Sequence, residues 1–258
     1  MGVDRTESRI RQMFAAISAR YDLLNHLLSG GIDILWRKKT ARLLGAPRAR
    51  MLDVCTGTAD LAIEFLRTHG GTFHVVGADF CRPMLEIGQR KLRHVAAAWQ
   101  YLLVEADAQR LPFPDDSFDL VTVAFGLRNV TRHDQGLREM IRVTRPGGLI
   151  GVLDFSLPRV PIVRSLYLFY FRRILPLIGQ TIARNREGAY EYLPASVLEF
   201  FEPEEMLQLF AQHGLVNCRA ISFTLGIATL YVGQKAAPAE IAPGKRPADL
   251  VSVGGVGG

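Results

Sequence analysis

Between residues 50 and 156 the chain repeats one pattern: a short apolar run, a turn, then a helical stretch. The strand-like runs are RMLDVC (50–55), FHVVGAD (73–79), QYLLVEAD (100–107), FDLVTVAF (118–125) and LIGVLDFS (149–156). Helical stretches lie between them at 58–68, 82–94 and 133–143. Such alternation builds βαβ units, because parallel neighbours need a crossover long enough to return over the sheet, and the crossover helices then cover both faces. The pattern predicts an α/β fold with a mostly parallel sheet. Two further strand-like runs, NCRAISFTL and GIATLYVGQ, follow a helical stretch at 202–215 and meet at Gly226. They predict an antiparallel edge hairpin and bring the strands to seven.

The chain divides into three parts. Residues 1–45 read as two amphipathic helical pieces broken at Gly30 and Gly31, and residues 46–234 as the α/β domain. Within that domain 157–200 is a bulky apolar insertion, and 235–258, rich in Pro, Gly and Ala without an aromatic, reads as a disordered tail. The charged N-terminus lacks the apolar core of a signal peptide, and Cys55, Cys81 and Cys218 show neither paired nor metal-ligand spacing. These features point to reduced thiols, no metal and a cytoplasmic location. The first 50 residues carry ten Lys or Arg against four Asp or Glu, which accounts for the whole net charge of +6. That basic segment suits an anionic surface or a plain solvated helix face equally well. No aromatic-plus-basic platform accompanies it, so nucleic acid is not an expected partner.

Ligands of open α/β sheets sit beyond the carboxyl ends of the strands, where strand order reverses. Four polar features fall there. In the first turn, CTGTAD, Gly57 allows a tight bend, Thr58 offers a hydroxyl, and a helix starts with free N–H groups. Asp79 closes the second strand some twenty residues on, where a carboxylate can accept from ribose hydroxyls. Asp107 and Ala108 close the third, pairing an acceptor for an exocyclic amine with a small residue beside a flat ring. Asp53 lies inside the first strand, where it can brace the turn. Any one of these is ordinarily a helix cap or a buried structural acid; their register along successive strands is what points to a nucleoside. A pyrophosphate would need more glycines than this loop has, which argues against a dinucleotide-dependent oxidoreductase. A nucleoside with a cationic tail fits an acid-rich site, and S-adenosyl-L-methionine has that shape.

LDVCTGTAD, VVGADF, EADAQRLPFPDDSFDLVTVAFGLRNV and RVTRPGGLIGVLDFS are similar to the successive motifs of a class I, Rossmann-like methyltransferase. YDLLNHLLSGGIDILW (21–36), FGLRNV (125–130), the run from 142 to 156, and AYEYLPASVLEF (189–200) resemble, more narrowly, the quinone-biosynthesis C-methyltransferases. The resemblance spans roughly residues 10 to 234. It implies an S-adenosylmethionine-dependent enzyme that methylates demethylmenaquinol or a polyprenyl-methoxy-benzoquinol, with Leu23 and Leu24 tilting the reading toward demethylmenaquinol. It also implies that residues 1–45, with Tyr21 and Asp22, form a lid over the cofactor. A homodimer is among the partners it allows. Members usually carry Gly where Ala59 stands, Glu where Asp154 stands and often His near Asp33. Retention of Thr58, Asp60, Asp79 and Asp107 implies that cofactor binding survives these departures.

Methylating carbon requires an electron-rich ring, which a quinol provides on losing a phenolic proton. Arg128, after the fourth strand, is the expected holder of that phenolate, since a guanidinium is too basic to act as a plain base. Asn129 is the expected partner of a ring oxygen. Tyr190 and Tyr192 are further candidates, and His133 and Asp154 both stand as proton acceptors. His26, His69 and His94 read as surface bystanders. The run VPIVRSLYLFYFRRILPLIG (160–179) is broken by Arg164, Arg172, Arg173 and Pro176, so it reads as a cover for an isoprenoid tail or an interfacial helix giving peripheral membrane contact. Methylation of another small lipid, a small acid or RNA, and a non-catalytic cofactor-binding role, are the competing readings.

Overall fold

The computed structural model describes residues 4–45, 49–70, 73–174 and 189–237. Helices α1 (Glu7–Ser29) and α2 (Ile32–Leu44) come first, divided at Gly30 and Gly31, whose φ angles of 61° and 78° no helix interior accepts. There follow β1 (Arg50–Val54), α3 (Asp60–His69), β2 (His74–Asp79), α4 (Arg82–Leu92), β3 (Tyr101–Glu105), β4 (Phe118–Ala124), α5 (His133–Val143) and β5 (Thr144–Phe155). The chain continues through α6 (Pro161–Phe169), a π-helical turn (Tyr170–Ile174), α7 (Ala189–Leu198), α8 (Pro203–Gln212), β6 (Leu215–Phe223) and β7 (Ala228–Lys235).

The seven strands lie in the order β3-β2-β1-β4-β5-β7-β6. The first five are parallel, while β7 runs antiparallel to both β5 and β6. Strand order reverses between β1 and β4, so the crevice beyond their carboxyl ends is the ligand position of this fold.

Alternation along the strands feeds two cores. Leu52, Val54, Val121, Val123, Ile150 and Val152 pack with Leu137 and Met140 of α5 and Phe210 of α8. Met51, Val75, Leu120 and Leu153 face the other way, onto Trp36 and Leu44 of α2 and Phe65 of α3. Successive strand residues point to opposite faces, so one apolar run serves both layers.

The seven strands and the edge hairpin match the sequence reading, with shifts of boundary that have physical causes. The first crossover helix starts at Asp60, not 58, because Ala59 is left-handed at φ 66° and still belongs to the turn. Strand β5 begins at Thr144 rather than 149, carrying Arg145–Gly148 as an irregular start against β4. Lys235, placed in the tail by composition, instead ends β7; its Nζ donates to Asp116 Oδ1 at 2.6 Å and to the Thr144 carbonyl at 2.8 Å. The rest of the expected tail, 238–258, lies outside the described residues. Residues 157–200 are helical at both described ends, and among the described residues no helix is long and apolar enough to cross a membrane.

Candidate active site

The turn after β1 holds three left-handed residues in five: Cys55 (φ 53°), Gly57 (φ 55°) and Ala59 (φ 66°). Asp53 holds this turn from beneath. Its Oδ2 accepts from Thr56 Oγ1 at 2.7 Å and its Oδ1 from Thr122 Oγ1, on neighbouring β4, at 3.0 Å. Burial dominates its titration and raises it to about 7, against the pull of those two hydroxyls toward the anion. Asp79, at the tip of β2, accepts from the Gly57 N–H at 2.9 Å and the Cys81 N–H at 2.8 Å. Burial raises it to about 6 even so.

Above these strand tips lies a first cavity of about 690 Å³. Gly57, Asp79, Asp107, Ala108 and Gly126 form its floor, and Ile10, Phe14 and Tyr21 of α1 form its roof. Asp107 Oδ1 accepts from the Gln109 N–H at 2.8 Å, which fixes its carboxylate at the tip of β3.

A second cavity of about 1110 Å³ adjoins it, and Tyr21 and Phe125 line both. Its walls are aromatic: Trp36 from α2, Phe125 and Phe155 from the domain, Tyr167, Tyr170 and Phe171 from the apolar segment. Phe125 and Phe155 lie 4.8 Å apart between ring centroids, and a guanidinium stands over each, Arg37 over Phe125 and Arg128 over Phe155, both at 5.2 Å. Arg128 is buried. Its Nη1 donates to the Phe125 carbonyl and to Asp154 Oδ1, both at 2.6 Å, while its Nε has no partner. Arg37 donates to Asp33, which also accepts from Ser29 Oγ at 2.6 Å and contacts His26 Nδ1 at 2.9 Å. Burial pushes Asp33 up, but Arg37 and Ser29 outweigh it and hold the carboxyl below its ordinary value.

The structure thus brings Gly57, Asp79, Asp107, Ala108, Tyr21 and Asn129 onto one cavity and Arg128 onto its neighbour. Several expectations need correction. Thr58 and Asp60 do not line either cavity, and Asp53 braces the turn without reaching one. Thr58 Oγ1 donates to Asp22 Oδ1, and Lys91 Nζ bridges Asp22 (2.7 Å) and Asp60, so this cluster ties α1 to α3 and α4. Asn129 borders the first cavity rather than the one that holds Arg128, and both ends of its amide are occupied: Nδ2 donates to the Phe125 carbonyl and Oδ1 accepts from Tyr192. His133 is half-buried against Phe200 and Phe201 and lines neither cavity, and Asp154 reaches the second only through Arg128. His26 and His69 are not bystanders. The first meets Asp33, and the second stacks on Phe73 at 5.1 Å and contacts the Ala41 carbonyl. The side chain of Tyr190 lies outside the described residues.

Sequence reading passed over Asp33, Arg37 and Tyr167. An acid–base pair four apart on a helix ordinarily reads as a solvated surface pair, and a tyrosine in an apolar run as packing.

A curated relative from Geobacter sulfurreducens, named ubiquinone/menaquinone biosynthesis C-methyltransferase UbiE, is 44% identical over 228 residues, 88% of each chain. One from Staphylococcus aureus, named demethylmenaquinone methyltransferase, is 38% identical over 230 residues, 89% of this chain and 94% of that one. Among solved structures, a SAM-dependent methyltransferase from Thermotoga maritima has a TM-score of 0.61 at 18% identity, covering 87% of this chain and 99% of that one, which shows the shared fold. Residues 3–235 match the ubiE/COQ5 methyltransferase family, and the chain belongs to that family.

Proposed function

We propose that this chain transfers the methyl group of S-adenosylmethionine to a ring carbon of a polyprenylated quinol, converting demethylmenaquinol to menaquinol. The observation that carries the proposal is the pair of adjoining cavities divided by Tyr21 and Phe125, one acid-lined at the strand tips and one aromatic around a buried arginine. The first fits a phosphate-free, cationic nucleoside. The Gly57 N–H, the donor a phosphate would need, is already spent on Asp79, and two carboxylates favour positive charge. Asp79 would hold the ribose hydroxyls, Asp107 and Ala108 the base, and Tyr21, on the α1–α2 lid formed by residues 1–45, would close over both. When bound, the cofactor would supply an electrophilic sulfonium methyl and leave as a neutral thioether, and the quinol gives up one proton for each methyl it receives.

The chain's own residues supply orientation, anion stabilisation and exclusion of water. The aromatic walls hold a flat ring next to the cofactor cavity. Arg128, locked by Asp154 and the Phe125 carbonyl, offers its remaining N–H groups to the phenolate whose charge reaches the reacting carbon. The electron-poor quinone has no such anion and is not a substrate.

The apolar segment supports an isoprenoid tail and peripheral contact with the inner face of the membrane. Ile162, Leu166 and Phe169 of α6 are exposed along one side, and Leu166 also borders the second cavity. A tail leaving that cavity would run onto this stripe.

The quinone profile of cells lacking the protein tests the reading. Accumulation of demethylmenaquinone is expected. An unchanged pool removes the proposal, and a demethylated methoxy-benzoquinone in its place transfers the activity to the benzoquinol branch.

A further inference from the structure

We propose that Tyr167 is a catalytic residue, its hydroxyl donating a hydrogen bond, beside Arg128, to the substrate oxygen that becomes the phenolate. The inference rests on the quinol reading above and names a second member of its anion site.

Tyr167 lies on α6 with only 7% of its surface exposed, its ring 4.3 Å from that of Phe171. Its hydroxyl is buried and has no hydrogen-bond partner among the described residues, yet the residue lines the second cavity. Burying a hydroxyl unpaired is unfavourable by about 1–3 kcal/mol, so a site that needed only aromatic bulk would be better served by Phe. Tyr192, by contrast, spends its hydroxyl on Asn129. Arg128 repeats the signal, because its Nε is also buried without a partner on the same cavity. Tyr167 and Arg128, each with a buried donor left over, therefore line one aromatic-walled space, and among the described residues no protein oxygen answers those donors. An aromatic oxygen accumulating negative charge would.

The groups whose charge Tyr167 feels are Arg128, Asp154 and Tyr170, and burial outweighs them, pushing its hydroxyl well above the ordinary tyrosine value. It therefore stays protonated throughout the working range and serves as a donor, with no proton transferred. A donor aimed at a developing anion strengthens as charge accumulates, so its contribution falls on kcat rather than on KM.

Tyr167→Phe removes the hydroxyl and little else. Measured with a short-chain demethylmenaquinol, the variant should lose about 10- to 100-fold in kcat, the size of one hydrogen bond to a charged group. KM for the methyl donor should stay unchanged, and the rising limb of the kcat–pH profile should move to higher pH. Its Tm should stay level or rise. Wild-type kcat with an unmoved pH profile overturns the proposal, as does a Tm lower by several degrees, which would reveal a structural partner.

A second measurement separates this proposal from the substrate reading. Titration of a bound nitronaphthol, followed by phenolate absorbance without any methyl donor, should show easier ionisation on the wild type than on Tyr167→Phe. If that difference appears while wild-type protein leaves the quinol unmethylated, the anion site stands and the quinol reading falls. If both proteins ionise the probe alike, Tyr167 has no such role.

Discussion

Ala59 sits at φ 66° and ψ 24°, a left-handed conformation that crowds Cβ against the following carbonyl and that glycine adopts freely. The resemblance marks this position as one where relatives carry glycine, and the observed angle supplies the physical reason. Ala59→Gly should stabilise the protein by about 0.5–1 kcal/mol, the relief of strain exceeding the added freedom of the unfolded chain; urea unfolding would read this as a higher midpoint at unchanged slope. Single residues were legible when the strand end itself defined their place, as with Asp79 and Asp107. They were misread when a partner from a distant segment had already engaged them. Asp22, from α1, occupies Thr58, and no spacing within the turn motif announces that contact.

Element by element, the helices and strands follow from periodicity, and packing decides what each exposed face meets. The α6 helix shows this most clearly. Its apolar run is longer than one buried stripe requires, and the structure divides it: Tyr167 turns inward, while Ile162 (74% exposed) and Phe169 (58% exposed) face outward. Replacing both outward residues with Glu should reduce sedimentation with anionic phospholipid vesicles at least tenfold, since each loses roughly 1.5–3 kcal/mol of apolar burial in the bilayer surface. Turnover of a water-soluble, short-chain quinol should remain near wild type. Equal vesicle binding by the variant would remove the membrane role from α6. The same division explains why Tyr167 was passed over: composition identifies an apolar helix, but only packing says which of its aromatics carries a hydroxyl into a cavity.

At the scale of the whole molecule, the sheet gathers carboxylates at its tips and burial raises two of them, Asp53 to about 7 and Asp79 to about 6, from an ordinary value of 3.8. The folded state therefore holds protons that the unfolded chain has already lost. These two groups oppose folding least below about pH 4, and the stability present there is lost as pH rises from about 4, the loss being complete near 6 for Asp79 and near 7 for Asp53. The ligand-free protein should show a Tm that falls over that window, and Asp53→Asn should flatten the fall; an equally steep curve for the variant would refute the assignment. Binding the cationic methyl donor beside Asp79 favours its anion. Near pH 6 binding should thus release protons, measurable by calorimetry in two buffers of different ionisation enthalpy.

By itself, the sequence determined the alternation, the parallel sheet with its antiparallel hairpin, and the carboxylates at the strand tips, because these depend on local periodicity and on where each strand stops. Only the tertiary structure decided that two cavities share one wall, that Asp33 and Arg37 form a buried pair, and that Tyr167 and Arg128 border the same space. Those residues come from α1, α2, α6 and the β4–α5 loop, far apart in the chain. Burial and a missing partner are properties of the packed assembly, which no short window of sequence contains.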